Sequence, residues 1–593
     1  MKRVLYLITI GLLFVCAGVQ GQTPTPEITP TPAATPTPIV TPTPVATPST
    51  AKLPPGTLPE NLPAVPAVAP NFESKIGSLP ELGRVGVDIA DQHPLTLNEA
   101  LELALSNNKD IEVMRKNIRI SEFDLRAARG VYEPRFTGQS YYERSTQPNV
   151  SIFSSNPTTT TGNLLGNASL GGLFPRFGTS YSASFNNTRL TTDNPISILS
   201  PQYNSSLGFS ITQPLFRGRS FDQNRRQIEI AKRNLDLSDI QFRQRTIDIV
   251  SSVQRAYWDL TFALRNLQVQ RDAVRDARSQ LEHNQRLVQE GQLAPIDVVA
   301  TETQVANFEQ AVYDALNTVN QAENILKNLI SPNRSDPIWA EAITPVESVE
   351  VPVPSTLLTD AINTAIQNRP ELDINKTQKE INKIDQRYYR DQKKPQIDLI
   401  ASYNSSGVGG SQNPVFHSPF PLPCQTDPTS PACQQQQANL QALIGNPLSG
   451  VFTNKYPTYR IGVQFNLPLF GDKTARAQYG RSVVEGERLE DQRQQVEQNI
   501  QVDVRNALQA VITNEARLRA AAIARENSER QYESERRKLD EGQSDIYRLL
   551  DRQTALSAAR SAELRARTEL NKAIADLQRA TGNTLKDNNI VAK

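Results

Sequence analysis

From about residue 220 to residue 290 the chain contains no proline, and apolar residues return every seventh position at Val253, Leu260, Leu267, Val274, Leu281 and Val288. At 1.5 Å rise per residue, a helix of that length is roughly 105 Å long. No globular core needs such an element. A sustained seven-residue period predicts left-handed supercoiling against neighbouring helices. Beyond Gly291 a second helix continues the pattern with Val298, Val305, Val312, Val319 and Leu326. The whole arrangement then recurs, with Val504, Val511, Leu518, Tyr532 and Leu539 before Gly542 and Leu549, Leu556, Leu570 and Leu577 after it. Arg525 and Glu563 are lapses in that second series, although the aliphatic stem of Arg525 can still lie along the seam. The chain is built as a rod or a tube.

The recurrence extends to everything upstream. Leu97-Asn98-Glu99-Ala100-Leu101-Glu102-Leu103-Ala104 returns as Leu358-Thr359-Asp360-Ala361-Ile362-Asn363-Thr364-Ala365. At the same offset Asn107 matches Asn368, Ile111 matches Leu372 and Pro134 matches Pro395. Gln213-Pro214-Leu215-Phe216 returns as Leu467-Pro468-Leu469-Phe470, and Glu290-Gly291-Gln292 as Glu541-Gly542-Gln543. One long unit has been duplicated, unlike the short repeats of solenoids. The first repeat covers residues 95–345, with strands over about 135–214 and a long helix over about 219–290. The second covers 346–582, with strands over about 396–467 and a long helix over about 473–541, followed by a tail at 583–593. Thr96 and Glu99 form a capping box at the start of a helix that runs to about Tyr132 and ends before Pro134. Its counterpart runs from Pro370 to Asp391.

Between helices the period becomes two. Leu207, Phe209 and Ile211 alternate with small or polar residues, as do Ile461, Val463, Phe465 and Leu467. Ile397, Leu399 and Ala401, and Tyr181, Ala183 and Phe185, alternate more loosely. Strands with one lipid face and one wet face read this way. The strands of a soluble sandwich would need a second apolar sheet to cover them, and no surplus of apolar strands supplies one. No apolar run after the N-terminus approaches a membrane helix in length, so a membrane crossing has to be a β-barrel.

Lys2 and Arg3, an apolar stretch over residues 4–17 and small residues before Gln22 predict a cleaved secretory signal over residues 1–21. Cys16 offers a lipoprotein reading, against which Val15 stands where a small residue should precede the lipidated cysteine. Residues 22–94 are a linker. Its first part, to residue 70, is a Thr-Pro tract with about fifteen prolines that favours extended polyproline II or disorder and reaches on the order of 150 Å. In an exported chain the remaining pair, Cys424 and Cys433, reads as a local disulfide contributing on the order of 2–3 kcal/mol; two free thiols are the other reading.

The net charge of +1 offers no footprint for nucleic acid. His93, His283 and His417 are far apart without metal-ligand spacing. Gly171-Gly172 and Gly409-Gly410 read as turns rather than phosphate loops. No catalytic residue, metal or cofactor is assigned.

Residues 95–582 resemble the TolC-like outer-membrane efflux proteins. Carrying the resemblance are Asn368-Arg369-Pro370-Glu371-Leu372, the Pro134 and Pro395 junctions, Gln213-Pro214-Leu215-Phe216, Leu467-Pro468-Leu469-Phe470-Gly471, Ala256-Tyr257-Trp258-Asp259-Leu260 and residues 291–297. The resemblance implies an α+β membrane protein, trimeric, with four strands per chain in a shared twelve-strand outer-membrane β-barrel continued by a periplasmic α-helical coiled-coil barrel. It implies an export channel of tripartite efflux or type I secretion, whose partners are a periplasmic adaptor (membrane fusion) protein, an inner-membrane pump and outer-membrane lipid. Two departures stand out: a hairpin near residues 167–188 that raises the strand count if it joins the barrel, and a long outward-facing loop at 404–455. Helix-tip turns fall at Gly291 and Gly542. By position the resemblance carries a periplasmic gate over to Arg548 and Asp551, with Asp545 one turn earlier and Arg548 where relatives carry an acid; a latch of ion pairs among Arg548, Asp551 and Asp297 or Asp545 is the expectation, and ordinary solvated helix charges are the competing reading. The competing function is a non-pore periplasmic coiled-coil scaffold or adaptor.

Overall fold

The computed structural model describes residues 83–149, 157–348, 352–418, 421–468 and 472–590. The signal segment, the Thr-Pro tract, Leu469-Phe470-Gly471 and residues 591–593 lie outside the described residues. In chain order the first repeat comprises β1 (Asp88–Leu95), α1 (Leu97–Asn107), α2 (Lys109–Arg129), β2 (Arg135–Pro148), β3 (Thr158–Leu173), β4 (Ser180–Thr192), β5 (Leu199–Pro214), α3 (Gln223–Gln289), α4 (Pro295–Ile330) and β6 (Glu341–Pro345). The second comprises α5 (Leu358–Asn368), α6 (Pro370–Gln392), β7 (Gln396–Gln412), three short helices α7 (Pro423–Thr426), α8 (Pro431–Leu443) and α9 (Pro447–Phe452), β8 (Tyr456–Asn466), α10 (Lys473–Asp540) and α11 (Ile546–Thr581).

The long helices α3 and α10 have 67 and 68 residues. Each folds back on a 36-residue helix, α4 or α11. Their seams are the heptad residues: Val253, Leu260 and Leu267 join Val319 and Leu326 in one core, and Val511 joins Leu570 and Leu577 in another. The first repeat's opening helix is two helices rather than one. Asn108 breaks it in an extended conformation, and its side chain caps α2 by accepting from the Asp110 N–H at 2.9 Å. The same break falls at Arg369 before Pro370, where the ring fits the first helical position.

The expected linker ends earlier than residue 94. Residues 88–95 form β1, parallel to β6, because main-chain ladder bonds hold a segment whose side chains are mostly exposed. Tyr257, fully buried on α3, fastens this pair by donating to the Leu95 carbonyl at 3.1 Å and accepting from the Glu347 N–H at 3.2 Å.

Strands β2-β3-β4-β5-β7-β8 form one antiparallel sheet in that order. The sheet therefore has six strands per chain, not the four implied by resemblance: the hairpin is inserted between β2 and β5, paired on both sides. Gly171-Gly172 and Gly409-Gly410 lie within strands rather than turns. A Cβ on Gly172 would meet the Tyr181 ring at 2.8–3.0 Å, so glycine there makes room for an aromatic neighbour.

The loop after β7 folds back onto the face of that strand that carries Tyr403, as a compact collar. Ser405 Oγ donates to the Val451 carbonyl at 2.7 Å, and a Cβ on Gly407 would collide with the Pro447 carbonyl oxygen. Cys424 and Cys433 form a disulfide inside this collar, with an S–S distance of 2.05 Å. Gly407→Ala is expected to displace α9 at a cost of about 1–2 kcal/mol. Limited proteolysis should then cut residues 423–452 faster while the strands stay resistant; unchanged cleavage would show that the collar is not seated through this glycine.

Candidate functional site

The two helix tips are built by the same local device. At the end of α3, the Gly291 N–H donates to Val288 O at 3.1 Å and the Gln292 N–H to Leu287 O at 2.8 Å. At the end of α10, Gly542 donates to Leu539 O at 2.9 Å and Gln543 to Lys538 O at 2.7 Å. Gly291 and Gly542 have φ of +77° and +72°. An added Cβ would meet nothing within 4 Å at either place, so left-handed backbone and not crowding calls for glycine.

The helices that follow the two tips start differently. α4 opens with Pro295, and Asp297 occupies its first turn. α11 opens after Asp545, whose carboxylate accepts from the Arg548 N–H at 2.9 Å and meets Arg548 Nε at 3.3 Å. A cation at a helix N-terminus faces the positive end of the helix dipole, and Asp545 offsets it. Arg548 occupies the position in α11 that Asp297 occupies in α4, so the duplicated layer carries opposite charges. Asp551 lies a turn further on, with Arg552 Nη1 at 3.9 Å. Of the four expected gate residues, one chain brings Asp545 and Arg548 together; among the described residues it draws neither Asp297 nor Asp551 onto Arg548. Asp545, Arg548 and Asp551 are exposed to solvent, with side chains 58%, 69% and 63% accessible, and Asp297 is half-buried.

Above the tip the helices are held by contacts the heptad pattern did not reveal. Asn284, 1% exposed, donates to Thr301 Oγ1 at 2.8 Å, and Thr301 is fully buried. Gln304 Nε2 reaches Thr554 Oγ1 at 2.9 Å, joining α4 to α11. Ala300 packs with Ile546, Leu549 and Leu550. At the tip itself Ile296, Val299 and Tyr547 are exposed at 69%, 52% and 77%. Their sequence signal was available as apolar residues adjoining the turn at non-heptad positions.

Further up, Arg369 of the Asn-Arg-Pro-Glu-Leu motif is 9% exposed and bridges Glu371 at 2.6 Å and Asp503 at 3.0 Å, pinning α6 to α10. Burial pushes the Glu371 carboxyl up, and the bonds from Arg369 outweigh it, holding the group below the usual carboxylate range. The two heptad lapses answer each other: Arg525 Nε lies 2.6 Å from Glu563 Oε2 across the α10–α11 seam. Glu529 bonds Arg525 and Arg560, and Arg567 bonds Glu563, each at 2.9 Å.

In the sheet the two faces differ in character, most plainly in the rows nearest the helices. One cross-strand row reads Phe136, Leu170, Ala183, Phe209, Tyr403, Tyr459; the adjacent row on the opposite face reads Thr137, Ser169, Ser184, Gly208, Asn404, Thr458. The apolar face is open to its surroundings, with Phe136 at 73%, Ile461 at 80% and Phe465 at 69% exposure. Among the described residues no helix is long and apolar enough to cross a membrane.

The sequence profile described as outer membrane efflux protein matches residues 167–331 and 361–583. No curated protein matches by sequence. Among solved structures, the CmeC outer membrane channel of Campylobacter jejuni is 14% identical, with 82% of this chain and 86% of that one aligned and a TM-score of 0.57. The outer membrane protein VceC of Vibrio cholerae is 13% identical over 82% and 96% of the two chains, at a TM-score of 0.55. The open-state MtrE outer membrane channel of Neisseria gonorrhoeae is 16% identical over 82% and 89%, at 0.54.

Proposed function

The chain belongs to the outer membrane efflux protein family, an outer-membrane export channel with a large periplasmic helical part, and we propose that three copies make one continuous duct. The observation that carries this reading is a sheet with one apolar and one polar face, joined through short junctions to helices roughly 100 Å long. An open sheet edge has no place in lipid, and the six strands of one chain leave β2 and β8 unpaired with each other. Closure by further copies supplies the missing ladders. In that assembly the polar face lines a wet lumen, and the paired helices continue it through the periplasm. An adaptor protein meeting the exposed Ile296, Val299 and Tyr547 at the tips, and an inner-membrane pump behind it, complete a tripartite efflux or secretion path.

The gate follows from the same arrangement. Three copies place Asp297 and Arg548 alternately around one layer, with Asp545 partnering Arg548. Exposed pairs contribute about 0–1 kcal/mol each, a latch that a partner can open. Arg548→Ala is expected to raise the open population by up to about fivefold for each pair released, read as planar-bilayer conductance; wild-type conductance would make these charges ordinary surface residues.

Membrane fractionation with unheated and heated gel electrophoresis, followed by planar-bilayer recording, tests the duct. An outer-membrane species migrating as a trimer and conducting ions is expected. A soluble, non-conducting rod would mean that the protein is a scaffold.

A further inference from the structure

We infer that the outer-membrane barrel of this protein is eighteen-stranded, because β3 and β4 are full members of the wall and each of three chains contributes six strands. The inference rests on the trimeric duct proposed above. Three observations carry it: the ladders, the faces and the junctions.

The ladders are continuous. β2 pairs β3 from Arg135↔Gly171 to Pro148↔Thr158, β3 pairs β4 from Thr161↔Thr192 to Leu173↔Ser180, and β4 pairs β5 from Ser180↔Thr212 to Leu190↔Gln202, all without a register shift. β2 and β5 nowhere touch as neighbours. A flap lying outside a twelve-strand wall would leave those two strands paired directly.

The faces agree across the insertion. Leu164, Leu170, Tyr181 and Phe185 of the hairpin fall on the face that carries Phe136, Phe209 and Ile211; Asn167, Ser169, Ser182 and Ser184 fall on the face of Thr137 and Ser210. Hydroxyls bridge neighbouring strands on the polar face, Thr137 to Ser169 at 2.6 Å and Ser182 to Ser210 at 2.8 Å. Because side chains alternate with a period of two, a single slip would invert every one of these assignments. The inserted strands therefore meet lipid and lumen as their neighbours do.

The junctions show how two extra strands are accommodated without extra helices. β2, β5, β7 and β8 each adjoin a helix, whereas β3 and β4 are joined to each other by a turn at the helix end of the sheet. That turn docks on the β5–α3 junction. Gln213 Nε2 donates to the Phe177 carbonyl at 3.2 Å, the Arg219 guanidinium lies 6.0 Å from the Phe177 ring centroid, and a Cβ on Gly178 (φ +66°) would meet the Gly218 carbonyl at 2.8 Å.

The occupant of each open edge is a second copy of this chain. β2 and β8 stand at opposite ends of a six-strand antiparallel order, so they run in opposite directions and β8 of one copy can pair antiparallel with β2 of the next. Their lengths, 14 and 11 residues, are similar. The rows ending in Tyr459 and beginning with Phe136 then continue one apolar band around the ring. With strands about 4.8 Å apart and tilted about 40°, eighteen give a backbone diameter of about 36 Å, against about 24 Å for twelve. The mouth is thus wider than a twelve-strand wall allows, and passage is limited in the helical tube.

Electron cryomicroscopy of the purified full chain in lipid nanodiscs counts the strands directly. Threefold density with eighteen strands, residues 158–173 and 180–192 in the wall, is the expected result. A barrel closing at any other number, above all twelve strands with the hairpin outside, overturns the inference and leaves the channel standing. Particles with no barrel overturn both.

Discussion

Glu323→Ala is expected to lower the stability of the helical region by about 3–5 kcal/mol, the largest loss from any single side chain considered. Glu323 is 1% exposed on α4. One carboxylate oxygen accepts from the Ile343 N–H at 2.8 Å and lies 3.6 Å from Lys327 Nζ; the other bonds Arg84. Lys327 is fully buried and donates to the carbonyls of Trp339 and Glu341 at 3.1 and 2.7 Å. Removing the carboxylate strands that ammonium group beside a second cation in a dry site, which is why breaking a buried pair costs more than the pair contributes. Burial already holds the Lys327 ammonium below its ordinary pKa, with Glu323 acting in the opposite sense. Glu323→Gln should lower it further. A lysine with a folded-state pKa below its unfolded value of 10.5 binds fewer protons folded than unfolded, so stability rises with pH through that window. The Gln variant should regain melting temperature, followed by circular dichroism, as pH climbs towards 10. A deficit that stays constant with pH would remove Lys327 from the explanation.

The second large effect concerns the lapses in the heptad series. Arg525→Leu alone should cost about 1.5–3 kcal/mol, the range for hydrogen bonds to charged groups, since Glu563 is 9% exposed in its side chain and loses a partner at 2.6 Å while keeping Arg567. Arg525→Leu with Glu563→Leu restores an apolar heptad on both helices, and that pair should be as stable as the parent or more so. The double-mutant cycle in thermal unfolding gives the coupling. A double variant as damaged as the sum of the singles would mean that the polar pair is required by packing in the assembled tube rather than tolerated in it.

Much of the helical architecture was legible before any coordinates. Residues 223–289 and 473–540 are helical because a seven-residue period without proline has one local solution, and the tips close at Gly291 and Gly542 because only glycine enters left-handed backbone freely. The break at Asn108 was missed because asparagine there acts through a cap to its own backbone neighbour, a signal that an apolar period does not carry. The Gly171 and Gly409 pairs looked like turns because glycine is ambiguous locally; only the neighbours, the Tyr181 ring and the collar backbone, explain it. At the tip, the sequence placed Asp545 and Arg548 one turn apart, which is sufficient for their pairing. Where Asp297 lies relative to them depends on a different helix.

The sequence by itself determined the duplication, through its self-similarity, and the helix lengths, the alternating faces of the strands and the residues at the turns, since each of these last follows from contacts within a few positions. The tertiary structure decided which strands neighbour which, that the β3–β4 hairpin enters the sheet between β2 and β5, that Arg84 meets Glu323 across 239 positions and that Arg525 faces Glu563. Those choices turn on long-range complementarity of charge, shape and hydrogen bonding. Local periodicity says which side a residue faces, but not what will be there to meet it.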